Sequence, residues 1–150
     1  FWSSEEGFSA LQGTSGGFPN GIVITPDAST LFINYWFSGK TIKFDLKSAQ
    51  TLAVHTGGRA DNLTLSDGSL WAAKHNVSLN DVFEKCPPET TNCFLPFSIH
   101  KFDSDLNELK TWSFESSTFG FATVATPVGE NVWLGTAHGD RIASFKISPQ

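Results

Sequence analysis

One pattern occurs three times in this chain and constrains its fold more than any other feature. The first copy is NGIVITPDASTLFINYWFSGKTIKFDL, Asn20 to Leu46. The second is DNLTLSDGSLWAAKHN, Asp61 to Asn76, which resumes after an insertion as FSIHKFDSDL, Phe97 to Leu106. The third is ATVATPVGENVWLGTAHGDRIASFKI, Ala122 to Ile147. Each copy holds an apolar strand, a turn at Pro-Asp, Asp-Gly or Gly-Glu-Asn, and a strand opening Leu-Phe, Leu-Trp or Val-Trp. A third strand follows, with Phe44, Phe102 or Phe145 at the matching place. The segments TLAVHTG, Thr51 to Gly57, and LKTWSF, Leu109 to Phe114, have the period-2 character of fourth, outer strands.

A four-stranded meander recurring about every 40 residues is the signature of a propeller blade. Phe32, Trp71 and Trp133 occupy equivalent positions, and the longer second interval reflects the insertion around Cys86 and Cys93. Regularly spaced short strands also suit an ordinary β-sandwich, but three matching turns favour the propeller. The expected fold is all-β, a β-propeller of three four-stranded blades, half of a six-bladed ring, in a single unit over residues 1–150. The blades fall at about residues 20–57, 61–116 and 121–147. The third copy has three strands and no fourth, whereas GFSALQG, Gly7 to Gly13, precedes the first copy and reads as a closing outer strand. Three blades cannot close a ring, since propellers need 4 to 8.

The remaining composition narrows the function classes. Ten Lys and Arg against 15 Asp and Glu give a net charge of −5 with no basic cluster, so nucleic acid and anionic membranes are not expected partners. No apolar run approaches the ~18 residues that span a bilayer, and a soluble protein is expected. The chain has no methionine and opens at Phe1 without a signal-peptide pattern, which reads as a processed or excised piece. Cys86 and Cys93 bracket PPETTN, a run of turn residues expected to form an exposed loop. A disulfide is the favoured state, with a free-thiol pair or a zinc half-site as alternatives. With the sequons at Asn62 and Asn76, of which Asn76 is the candidate glycosylation acceptor, this favours a secreted or extracytoplasmic location.

In a propeller, side chains at the start of each innermost strand face the central channel. Those positions are Asn20, then Asp61 and Asn62, then Ala122 and Thr123. Converging carboxylate and amide oxygens are hard ligands suited to Ca²⁺, or to Mg²⁺ or Mn²⁺. Asn-Gly and Asp-Asn are also common turn and strand-entry pairs that bond their own backbone, so capping without an ion is the competing explanation.

The segments FPNGIVITPDASTLFI, ADNLTLSDGSLWAAKHN and ATVATPVGENVWLGTAHGDRI resemble the C-terminal half of the calcium-dependent six-bladed propellers, the paraoxonase/arylesterase, strictosidine synthase-like and gluconolactonase group. The resemblance runs from Phe18 to Ile147. It implies that Asn20, Asp61 and Asn62 are ligands of a catalytic calcium and that His75 is a channel-lining histidine and candidate proton shuttle. His138, at the corresponding end of the third blade, is a second channel-lining candidate alongside Thr123. His55 and His100, on outer strands, are expected to be solvated. The family's other acidic ligand, a further asparagine and its principal histidine come from an N-terminal half that has no counterpart here. Three ligands fall short of the 6 to 8 oxygens calcium takes, so the partner expected is a second half-propeller, either another copy of this chain or a complementary N-terminal half.

Two function classes follow. One is a metal-dependent hydrolase of a lactone or aryl ester, acting on a small molecule once the ring is complete. The other is a secreted propeller that binds a small ligand or a protein without catalysis; the strictosidine synthase-like branch also admits condensation chemistry. Gly-x-Ser-x-Gly, His-Glu-x-x-His and phosphate-loop patterns are absent.

Overall fold

The structure, a computed structural model, describes residues 2–147. Two short strands, β1 (Trp2–Ser3) and β2 (Gly7–Phe8), pair as a small hairpin. The first large sheet is an antiparallel meander of β3 (Pro19–Ile24), β4 (Thr30–Tyr35), β5 (Lys40–Asp45) and β6 (Gln50–Thr56). The second holds β7 (Arg59–Ser66), β8 (Ser69–His75), β9 (Phe97–Phe102) and β10 (Glu108–Phe114) in the same order, with helix α1 (Leu79–Lys85) between β8 and β9. The third holds β11 (Ala122–Val128), β12 (Asn131–Thr136) and β13 (Ala143–Lys146). The chain is therefore all-β, with blade-like sheets of four, four and three strands, as the repeat implies.

The sheets stack in chain order. The first packs on the second through Phe32, Leu63, Leu70, Ala72 and Phe102. The second packs on the third through Trp71, Phe97, Ile99, Val132 and Leu134, with Trp71 stacked on Trp112 at 5.5 Å. Among the described residues no element of the first sheet contacts the third, so the three sheets form an open arc. The equivalent aromatics show where the arc ends. Phe32 is 2% exposed against the second sheet and Trp71 is 3% exposed against the third, but Trp133, on the last sheet, is 44% exposed. The opposite end is covered differently: Leu31, Ile33, Tyr35, Ile42 and Phe44 form a buried face onto which Leu11 packs. There the Tyr35 hydroxyl donates to the Thr14 carbonyl at 2.6 Å.

Two local expectations are corrected. The cysteine segment is not simply an exposed loop. Cys86 and Cys93 form a disulfide, their Cα atoms 5.5 Å apart, and both are buried with Leu95 and Phe121. Cys93 N donates to the His138 carbonyl at 2.9 Å and Asp140 N to Asn92 Oδ1 at 3.2 Å, so the segment ties the second sheet to the third. It begins with α1, capped reciprocally by Ser78 and Asp81. His55 and His100 are not simply solvated either. Lys74 is 1% exposed, and its Nζ lies 2.9 Å from His55 Nε2 and 5.0 Å from the centre of the Phe102 ring. His100 completes the group, 2.7 Å from both Ser98 Oγ and Glu108 Oε2. Burial, with Lys74 adding repulsion, holds both imidazoles below their usual range. Burial likewise pushes the Lys74 ammonium down to about 8, against the pull of Glu108.

Candidate functional site

Strand β7 lies between the other two inner strands, packed against β3 and β11. All three carry a break in register at the same height. In β3 it falls between Pro19, opposite Tyr35, and Ile22, opposite Ile33. In β7 it falls between Ala60 and Leu63, and in β11 between Ala122 and Val124. The residues inside these breaks are Gly21 and the four site candidates Asn20, Asp61, Asn62 and Thr123. An extra residue in one strand of an antiparallel pair bends the strand and re-aims a side chain. The structure thus brings the four residues to equivalent places on neighbouring strands.

Two features hold β3 and β7 together here. A Cβ on Gly21 would lie 2.7 Å from Asn62 Cα and 2.9 Å from Leu63 N, so only glycine lets the strands approach this closely. Asn34, fully buried in β4, donates from Nδ2 to the Asp61 carbonyl at 2.7 Å and accepts from Thr41 Oγ1 at 2.7 Å. The sequence signal for Asn34 was an amide within the otherwise apolar LFINYW.

Asp61 is the carboxylate of the site. Burial raises it from 3.8 to about 6, and a hydrogen bond with the Asn20 side chain opposes that rise. His75 Nε2 lies 3.9 Å from Asp61 Oδ2, yet this is not a working ion pair. His75 Nδ1 accepts from the Trp36 indole at 2.9 Å, so Nε2 carries the proton and donates it to the Ala122 carbonyl at 3.0 Å. Burial, with Arg59 nearby, lowers this imidazole to about 4, the Ala122 bond opposing. Phe121 stacks on it at 4.0 Å. In this arrangement His75 is neutral at pH 7, and both its nitrogens are engaged.

The other sequence candidates sit further out. His138 Nδ1 lies 3.0 Å from the Thr90 carbonyl, and its ring is 6.4 Å from Phe121. Asn76 is exposed and accepts from Ser98 Oγ at 3.0 Å. Trp36 and Arg59, which no sequence motif marks as functional, stand beside His75; the Arg59 guanidinium lies over the Trp36 ring at 5.7 Å.

Among the described residues no three His, Cys, Asp or Glu side chains converge as metal ligands. An ion at the breaks would rest on Asp61 and on neutral oxygens from Asn20 and Asn62. The raised carboxyl suits that role, because a desolvated carboxylate without a cationic partner gains most from a bound cation.

No protein-family model matches the chain, and no curated protein matches it by sequence. Solved structures do. A chain of a mitotic checkpoint complex matches 97% of this chain and 40% of its own length, with a TM-score of 0.59 and 14% identity. The acylaminoacyl peptidase of Pyrococcus horikoshii matches 88% of this chain and 24% of its own, at 0.55 and 11%. The calcium-binding protein regucalcin of Agrobacterium tumefaciens matches 92% of this chain and 57% of its own, at 12% identity and a TM-score of 0.44, too slight to argue from. The first two likenesses concern the fold alone, which is propeller-like.

Proposed function

We propose that the three strand breaks are part of a divalent-cation site at the mouth of a propeller bore. The completed protein, secreted or extracytoplasmic, is then a calcium-dependent hydrolase of esters or lactones. The observation that carries this reading is Asp61, a carboxyl raised to about 6 between two amides at a break repeated on three adjacent strands. Asp61, Asn20 and Asn62 would hold the ion, with Thr123 on the neighbouring strand. Ca²⁺ suits these oxygens best, with Mg²⁺ or Mn²⁺ as alternatives. Bound there, the ion would supply Lewis acidity toward a carbonyl oxygen.

The chain's own residues prepare that chemistry. Asp61 is ionised above about pH 6, so it presents a full negative charge at neutral pH. Asn34 fixes its backbone and Gly21 its distance from Asn20. His75, as placed, orients the wall through Trp36 and Ala122, and a shuttle role would require it to release one of those bonds. The exposed Trp133 face takes the next blade of the ring, from a second copy or a complementary half. To serve as the closing outer strand, Gly7 to Gly13 would have to leave the β1–β2 hairpin and the Leu11 contact on the first sheet, since only Gly7–Phe8 of it is a strand here.

A non-catalytic propeller that binds a ligand or a protein is the second reading, favoured by the single carboxylate at the breaks. One experiment separates the two. Calcium titration by calorimetry is run on wild type and Asp61→Asn beside hydrolysis of phenyl acetate and an aliphatic lactone. The hydrolase reading expects calcium binding and turnover, both lost in the variant. Calcium binding without turnover supports the binding module, and equal binding by both proteins ends the metal assignment.

A further inference from the structure

Two residues before Asp61 on β7, Arg59 is a cation with donors to spare. Its Nη1 donates to the Val77 carbonyl at 2.9 Å, while its Nε is buried without a hydrogen-bond partner among the described residues. That Nε is closed to solvent, so a ligand in an open cavity would meet the outer N–H groups of the guanidinium. Arg59 also forms part of the wall of a cavity of about 230 Å³, between the turn joining β4 to β5 and the turn joining β6 to β7. Phe37, Ser38, Gly39, Gly57 and Gly58 supply most of the rest. The three glycines have φ of 63°, 126° and 69°, so side chains there would be strained and the cavity stays open. No acid lines it, although the protein carries a net charge of −5. The aliphatic stem of Lys74 packs behind the same turn, since a Cβ on Gly58 would lie 3.0 Å from Lys74 Cδ, while its Nζ lies against His55 and the Phe102 ring. Phe37, 59% exposed, forms an apolar flank.

We infer that this cavity binds a small organic carboxylate, with the acid group on the Arg59 guanidinium and the apolar body against Phe37. A planar guanidinium offers paired N–H groups that match a carboxylate, and the bond is charge-assisted. The inference deepens the hydrolase reading and rests on it for the biological source of the ligand: an ester or lactone and water give a carboxylate, an alcohol group and a proton. Binding of a free carboxylate requires neither the ion nor turnover.

The test is calorimetric titration of the full chain with sodium benzoate and sodium acetate, in the presence of a chelator. Wild type should bind benzoate saturably at millimolar concentration, more weakly at high salt. Arg59→Gln should weaken it about tenfold, as expected for loss of a charge-assisted bond. Phe37→Ala, at an exposed position, should weaken benzoate several-fold and leave acetate unchanged. Absence of saturable binding by wild type overturns the inference, as does unchanged benzoate affinity in an Arg59→Gln protein with a native circular dichroism spectrum. If Arg59→Gln does not fold, Phe37→Ala decides: loss of the preference for benzoate supports the site and an unchanged preference overturns it. Ester hydrolysis without benzoate binding would sink this inference alone, and benzoate binding without hydrolysis would sink the hydrolase reading alone.

Discussion

Replacing Asp61 by Asn should stabilise the protein without calcium and lose that advantage with calcium. The carboxyl is raised from 3.8 to about 6, mainly because burial disfavours its charged form. A raised folded-state pKa means the native protein binds more protons than the unfolded chain between those values, so stability is full below about 3.8 and falls as pH rises through about 6. At 1.36 kcal/mol per pH unit, ionised Asp61 costs on the order of 3 kcal/mol at pH 7.5. The side chain is only 14% exposed, so solvent relieves little of this. Asn has nearly the same shape and no charge, so the variant avoids that cost. Urea unfolding followed by circular dichroism, with a chelator present, should show wild type and variant alike near pH 4 and the variant more stable by about 2–3 kcal/mol at pH 7.5. Calcium at 100 times its dissociation constant should then add about 2.7 kcal/mol to wild type alone and remove the difference. A gap that does not change between pH 4 and 7.5 would refute the desolvated carboxylate. A gap that calcium leaves untouched would refute its use as a ligand.

The interior polar groups give three further tests. Asn34→Leu should lose about 2–5 kcal/mol in urea unfolding, because the Asp61 carbonyl and Thr41 hydroxyl lose their partner, and adding Thr41→Val should recover part of that loss; a single variant within 0.5 kcal/mol of wild type would contradict it. Lys74→Met should stabilise the protein by on the order of 2–3 kcal/mol at pH 7, since the lowered ammonium costs most below about pH 8, and the gap should close as pH rises toward 10.5; the same gap at pH 7 and pH 10 would argue against a buried charge. Replacing Cys86 and Cys93 by Ser should cost about 2–3 kcal/mol and speed hydrogen exchange at Cys93 N, which bonds the His138 carbonyl across to the third sheet; unchanged exchange there would mean that the segment holds without its crosslink.

Features that recur along the chain were legible, and features created between sheets were not. Phe32, Trp71 and Trp133 announce the blades because each occupies the same slot in a two-residue alternation. Asn20, Asp61, Asn62 and Thr123 could be chosen because they stand at the same place in each copy. Lys74 and His55 gave no such signal: in isolation each is a polar residue on a strand, and its burial exists only once the first sheet lies on the second. Arg59 was hidden for the same reason, since its partners Trp36 and Val77 come from the ends of two other strands. The helix is legible in principle from Ser78 and Asp81, a capping pair before Val82, but the turn residues of the neighbouring cysteine segment mask that signal.

The register breaks also bear on how such a rim can change over time. Gly21 apart, whose place the close approach of β7 reserves for glycine, a residue inside a break stands outside the in-and-out alternation of its strand, so neither sheet face dictates its identity. Asn, Asp and Thr can occupy positions 20, 61 and 123 on strands that otherwise pack alike. Each blade then contributes one or two exchangeable positions to a shared ring, and the charge of that ring can be rewritten one strand at a time while the apolar contacts between sheets are preserved.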